Sequence, residues 1–341
     1  MAADSITHRR DSASWRFPKP FGARQLGLAI LAVLVLLYSG DRVGIATMAR
    51  MSADGILAGV GLKPQSQVSS GLAAMGRSLF PLQISQSTPV NRIENFDPRH
   101  LPFLSHVETQ ETGRAVLNPE TLKVETKIDR QQMLVEPLGY LMEVIRKLVE
   151  TLEIALWGTV LAIVAAAPLA VWSARNFSPN ATVRFGMRAV VSLMRAVPEL
   201  ISALFLVLAY GFGPIPGVLA LAIHGAGFLG KFYAEDIENA DGKPQEALVA
   251  AGASRLKVLH YAVLPQVMAQ YIAYTLYILD RNVRMATVIG LVGAGGIGQE
   301  LKGRYDMYNY GHVGTILVAI FILVVVLDQL SARLRQGLPQ R

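Results

Sequence analysis

Hydropathy along the chain alternates between long apolar runs and short basic or polar intervals. The runs are Leu26–Tyr38, Thr151–Trp172, Ala189–Tyr210, Gly217–Tyr233, Gln266–Ile289 and Gly311–Leu330. All but the first are long enough to cross a bilayer as helices. The first is the size of a signal-peptide core. No small-x-small cleavage pattern follows it directly, and Gly40–Ala49 offers residues to lengthen the helix, so it reads as a retained first span over 26–40. Basic residues precede it (Arg9, Arg10, Arg16, Lys19, Arg24), follow the second run (Arg175, Arg184, Arg188) and close the chain (Arg333, Arg335, Arg341). Six spans with both termini cytoplasmic satisfy that pattern at every turn. The expected fold is an all-α polytopic membrane bundle.

Between the first and second runs the pattern changes. Residues 41–149 carry prolines, serines and charges without a spanning run, and by topology form an extracytoplasmic segment. Gln67–Phe80 reads as a surface helix. His106–Leu117 and Thr121–Ile128 alternate polar with apolar around Asn118-Pro119, which predicts a small β-hairpin. A segment this long without a span is either a cap that meets another protein or a tether. The remaining divisions are a tail at 1–25, a core helical domain at 150–332 containing a cytoplasmic loop at 236–265, and a tail at 333–341. Gly211–Pro216 is expected as a tight outer turn, and no internal repeat is evident.

Composition narrows the class. With 52% hydrophobic residues and a mean hydropathy of +0.37 the chain is too apolar for a typical soluble domain. The formal net charge of +7 would point to nucleic acid in a soluble protein, but here the basic residues cluster at the ends of apolar runs. Nucleic acid is excluded as a partner on that ground, and membrane lipid takes its place. There is no cysteine, hence no disulfide or thiolate chemistry. No His or carboxylate cluster has metal-ligand spacing and no nucleophile motif is present, so neither a catalytic nor a metal site is expected.

Four features carry the functional reading. The first is the polar interval Lys243–Gln266. Pro244 suits a first helical turn, Gly252 supplies a bend, and Leu264-Pro265 supplies a stop. Two short helices are expected, burying Ala247, Leu248, Ala251, Leu256 and Leu259 on one face and leaving Glu246, Arg255 and Lys257 for a partner. The second is the fifth span, where Tyr271, Tyr274, Tyr277, Arg281 and Arg284 recur at helical spacing. Guanidinium groups inside a membrane suit an oxyanion pathway. Asp280 neutralises Arg284 in this reading and leaves Arg281 uncompensated. The third is Gly290–Gly298, whose Gly293, Gly295 and Gly298 match the spacing of a dinucleotide-binding turn. A spanning helix rather than a strand precedes it, so Gly293, Gly295, Gly296 and Gly298 read as a gate or as close helix packing. A dinucleotide-dependent oxidoreductase is the rival reading. The fourth comprises scattered polar residues: Arg195 and Glu199 as a self-neutralising pair about Pro198, His224 bonded to a backbone carbonyl, and Glu235, Asp236, Glu238 and Asp241 as a solvated acidic face.

Glu246-Ala247, Gly252 and Leu264-Pro265 resemble the coupling loop of ABC importer permeases, with Leu248 standing where the family usually has alanine. The run Arg281–Gly298, with Lys231–Glu235, Ile237-Glu238, Tyr261–Gln266 and Asp328–Arg333, resembles the phosphonate branch of those permeases from about Thr151 onward. The resemblance implies a six-span permease in the bacterial inner membrane, homodimeric and itself not an enzyme. Its implied partners are an ABC ATPase homodimer, which holds ATP and Mg, and an extracytoplasmic substrate-binding protein. No cofactor is expected on this chain. The implied substrate is a phosphonate or a related phosphorus oxyanion; the alternative is the same architecture importing phosphite, phosphate or another small anion. Residues 51–136 depart from the shorter members.

Overall fold

The computed structural model describes residues 23–336 except 64–65, 95, 99–100, 103 and 118–123. Contacts divide the chain into two units, Met1–Gly76 and Arg77–Arg341.

The first unit holds α1 (Ala23–Val43), α2 (Ile45–Gly59) and most of α3 (Gln67–Leu79). The first helix runs past the expected end at residue 40 to Val43, where Gly44 turns the chain with φ 76° into α2. No residue of the apolar window Leu26–Val43 is buried, as suits a helix whose solvent is lipid. Ser66 and Ser69 open α3 with reciprocal hydrogen bonds: each backbone N–H donates to the other's hydroxyl, at 3.1 and 3.0 Å. That satisfies N–H groups which a helix start otherwise leaves without partners.

The second unit begins with an antiparallel sheet of order β1-β3-β2, made of β1 (Gln86–Pro89), β2 (His106–Leu117) and β3 (Val124–Glu136). The expected hairpin is present, although Asn118-Pro119 lies outside the described residues. Its second strand runs beyond Ile128 to Glu136. The extension follows from pairing on both sides, with Gln86 opposite Glu136 and His106 opposite Val135, which local alternation does not encode. The sheet leads at Gly139 into α4.

Nine helices complete the described part of this unit: α4 (Gly139–Ser173), α5 (Ala181–Ala196), α6 (Glu199–Tyr210), α7 (Pro214–Asn239), α8 (Gly242–Ala250), α9 (Arg255–Val258), α10 (Leu264–Gly290), α11 (Gly296–Asp306) and α12 (Tyr310–Gln336). Several differ from the sequence reading. α4 starts well before Thr151, because Tyr140 and Val144 bury against Ile297 and Ile316 and hold polar turns in helix. The third run is not a straight span. It breaks at Val197-Pro198 into α5 and α6, bent by 89°, because proline lacks an N–H and the residue before it is driven to extended geometry (φ −83°, ψ 120° at Val197). The outer turn is only Gly211–Gly213, since Pro214 already opens α7. Leu264-Pro265 does not stop a helix. A π-helical turn at Leu259–Val263 absorbs the missing donor, and Arg255–Gly290 runs on as one apolar stretch.

Among the described residues five helices are long and apolar enough to span, and six if the α5–α6 pair counts as one. Small residues set the contact between α4 and α7. A Cβ on Gly158 would lie 2.8 Å from that of Leu221, and one on Gly225 would lie 2.9 Å from that of Ala162. Close backbone approach of this kind drives helix association in lipid, where burial of apolar area supplies little. The fold is an all-helical membrane bundle with a small sheet.

Candidate functional site

The polar interval between α7 and α10 folds as the bent pair α8–α9. Asp241 caps α8, its Oδ1 accepting from Lys243 N at 3.0 Å. Gln266 joins the two feet of the loop: its Oε1 accepts from Asp241 N at 2.9 Å and its Nε2 donates to Ala262 O at 2.7 Å. Gly252 ends α8 with φ +80°. Its N–H donates to Val249 O at 2.9 Å, and Ala253 N–H donates to Leu248 O at 3.0 Å. That pair of bonds closes a helix whose next residue is left-handed, which glycine adopts without steric cost. Glu246, Ala247, Gly252 and Pro265 are exposed and Leu264 is half-buried. The expected buried apolar face is not formed within the chain. Ala247 and Ala251 are exposed, Leu256 is 75% and Val249 62% exposed, and only Leu248 and Leu259 are half-buried. A short two-helix loop has too few neighbours of its own to cover these side chains, so its apolar and charged groups face outward together.

Inside the bundle, the polar residues pair across helices as well as along them. Arg281 on α10 donates to the Glu199 carboxylate on α6, and His224 Nε2 on α7 lies 3.4 Å from the same carboxylate. The other imidazole nitrogen, Nδ1, is 3.4 Å from Val197 O. Glu199 is therefore not neutralised by Arg195, and Arg281 is not the uncompensated charge that spacing predicted. The 89° break carries Glu199 away from the face of α5 that bears Arg195. Arg284 donates to Asp280 at 2.6 Å, as expected, and also to Asp328 on α12 at 3.3 Å. Arg281 Nη1 is buried without a hydrogen-bond partner among the described residues. Alongside lies a buried bond from Asn282 Nδ2 to Thr159 Oγ1 at 2.9 Å. Single-residue spacing could not reveal the cross-helix pairs, because their members come from five helices, α4, α6, α7, α10 and α12, far apart in sequence.

The tyrosines of α10 do not share one open face. Tyr271 stacks on Tyr233 at 3.8 Å and donates to its carbonyl at 2.9 Å. Tyr274 and Tyr277 lie against Phe232 and Phe228 of α7, at 5.2 and 5.9 Å between ring centroids. Tyr277 remains 44% exposed and Arg284 keeps 44% of its side chain accessible, on the stretch where the pathway was expected.

The glycine run is a packed turn between α10 and α11. Gly293, Gly295 and Gly296 have φ of 91°, 84° and 70°. A Cβ on Gly298 would lie 2.0 Å from Thr287 O, a backbone atom of α10. The α11 start is satisfied by α4, with Gly296 N–H donating to Glu150 Oε1 at 2.9 Å and Ile297 N–H to Thr151 Oγ1 at 2.8 Å. Those are the donors that would cradle a phosphate in a dinucleotide fold, and here they are engaged. The acidic run is also partly internal: Glu238 accepts from Arg188 at 2.6 Å and from the Arg175 N–H, while Asp236 Oδ2 is buried without a partner among the described residues.

Comparison with known proteins follows this geometry. A family model described as "Binding-protein-dependent transport system inner membrane component" matches residues 159–339. The Stutzerimonas stutzeri protein described as "Putative phosphite transport system permease protein HtxE" is 56% identical over 260 residues, covering 76% of this chain and all of that protein. "Phosphite transport system permease protein PtxC" from the same species is 44% identical over 192 residues, covering 56% of this chain and 70% of the relative. An inward-facing structure of the MetNI methionine ABC transporter aligns with a TM-score of 0.50 at 20% identity, covering 58% of this chain and 96% of that one, which is a likeness of fold. The matched region takes in the bent α5–α6 pair, the exposed α8–α9 loop and the glycine turn, and on this ground the chain belongs to the inner membrane components of binding-protein-dependent transport systems, the ABC importer permeases.

Proposed function

We propose that the chain forms the membrane path of an ATP-driven importer for phosphite or a related phosphorus oxyanion such as a phosphonate or phosphate. It works as a homodimer with a homodimeric ABC ATPase, which holds ATP and Mg, and with an extracytoplasmic binding protein. Both termini lie in the cytoplasm. The observation that carries the coupling role is the α8–α9 loop, whose Leu256 and Val249 stand exposed beside Glu246 and Arg255. Such a surface fits a cleft on a partner, and the Gln266 clamp at its base ties any push on the loop to both α7 and α10. The substrate class is supported by the identity that spans the whole of the phosphite-system relative.

Glu246, Ala247, Gly252, Leu264 and Pro265 transmit the ATPase movement in this reading. Tyr274, Tyr277, Arg281 and Arg284 face the anion path, and Gly293, Gly295, Gly296 and Gly298 let α10 and α11 move as one body. The pairs of Arg281 with Glu199 and of Arg284 with Asp280 hold the closed arrangement, and an entering oxyanion competes for those guanidinium groups. The test is reconstitution in lipid with the cognate ATPase and binding protein, followed by ATP hydrolysis with phosphonates, phosphite, phosphate and methionine. Stimulation by one phosphorus oxyanion is expected. An intact complex stimulated by none of them refutes the substrate class.

A further inference from the structure

Helices α5 and α7 approach closely at Gly227, where a Cβ would lie 2.8 Å from that of Met194 and 3.0 Å from Cγ of Arg195. This contact fixes the last turn of α5. Nearby, α5, α7 and the end of α4 enclose a cleft of about 330 Å³. That is roughly ten times the ~30 Å³ a water molecule occupies in the liquid, enough for a small hydrated anion.

Arg188, Ser192 and Arg195 line the cleft from one face of α5, at helical steps of four and three. Lys231 faces them from α7. Glu238 and Glu235 also line it, but both are engaged. Glu238 takes Arg188 at 2.6 Å and the Arg175 N–H, and Glu235 lies 3.5 Å from Lys231. Three cations against two carboxylates leave one net positive charge, and Arg195 has no carboxylate partner among the described residues. A second observation is independent of charge. Ser173, only 2% exposed, lines the same cleft with its Oγ lacking any hydrogen-bond partner among the described residues, while its carbonyl accepts from Arg188 Nε at 3.0 Å. Buried hydroxyls are nearly always bonded, and this one meets no acceptor or donor among the described residues.

We propose that this cleft is an oxyanion site distinct from the Arg281–Arg284 stretch, taking a tetrahedral phosphorus oxyanion either free or as the headgroup of an anionic lipid. Arg195 provides a planar pair of donors, Ser173 Oγ a third, and Lys231 swings in from its loose pair. One net charge favours reversible binding, as an exit station would need. The transport reading above is assumed only for naming phosphite as the free ligand.

The experiment uses the full chain assembled with its ATPase in nanodiscs of phosphatidylcholine, without the binding protein, and measures equilibrium binding of labelled phosphite and inorganic phosphate. Saturable binding is expected, weakened about tenfold or more by Arg195→Gln and severalfold by Ser173→Ala. Discs containing phosphatidylglycerol separate the two sources. If that lipid displaces phosphite from the wild type and loses this effect in R195Q, the headgroup is an occupant of the same site. Absence of saturable binding of both phosphite and inorganic phosphate, or binding indifferent to both substitutions, overturns the proposal. Should R195Q fail to assemble, S173A decides alone, since losing a hydroxyl leaves the packing intact. Phosphite-stimulated ATP hydrolysis with the binding protein is measured on the same proteins. Stimulation unchanged by variants that also leave binding unchanged refutes the cleft alone, whereas binding without any stimulation refutes the transport substrate alone.

Discussion

Replacing Glu199 by Gln tests whether the cross-helix pair holds the bundle. The Glu199 side chain is 9% exposed and that of Arg281 26% exposed, so the substitution leaves a guanidinium largely out of water. Its Nη1 already has no partner among the described residues, and removing the carboxylate takes away the ion-pair partner of the other terminal nitrogen. Breaking a fully buried pair costs about 3–5 kcal/mol. Because a quarter of Arg281 reaches solvent, screening lowers this to about 2–3 kcal/mol. The double variant E199Q/R281Q removes both charges and should recover part of the loss, leaving a coupling of at least ~1 kcal/mol in the cycle. Unfolding of the four proteins in mixed micelles by increasing denaturing detergent measures it. Single variants within ~0.5 kcal/mol of wild type, or a cycle whose effects simply add, refute the pair as a structural tie.

Three further outcomes follow from the same geometry. Gly252→Leu meets open space, with no atom within 4 Å of its Cβ, but must adopt φ +80°; it should insert and assemble while ATP hydrolysis no longer drives uptake, and normal uptake by proteoliposomes contradicts the coupling role. Gly298→Ala places a Cβ 2.0 Å from the Thr287 carbonyl, which cannot yield without parting α10 from α11. It should cost at least 1–3 kcal/mol, read as a lost monodisperse peak on size-exclusion chromatography, and wild-type behaviour refutes the close approach. Thr159→Val keeps the shape but strips the Asn282 amide, 2% exposed, of its acceptor; a loss of about 1–3 kcal/mol in the same unfolding assay is expected, and a neutral result shows that the amide finds another partner.

What the sequence by itself determined is whatever depends on local pattern. Apolar runs near the length of a bilayer, basic residues at their ends and the alternation at 106–117 place the spans and the hairpin, because lipid and a half-buried sheet each impose a period that one segment carries alone. The bend at Gly252 was legible for the same reason, since a left-handed residue between two short helices is a local demand. The tertiary structure decided what depends on partners from elsewhere in the chain. It extends α4 back to Gly139 by burying Tyr140 and Val144, and stretches β3 to Glu136 by pairing it twice. It folds the third run at Pro198, so that Glu199 meets Arg281 and His224 while Arg195 turns to the cleft with Ser173. Spacing of three or four assigns a neighbour along one helix. In a medium without water to solvate a charge, the partner is the nearest opposite charge on any helix, and only the packing of the bundle says which that is.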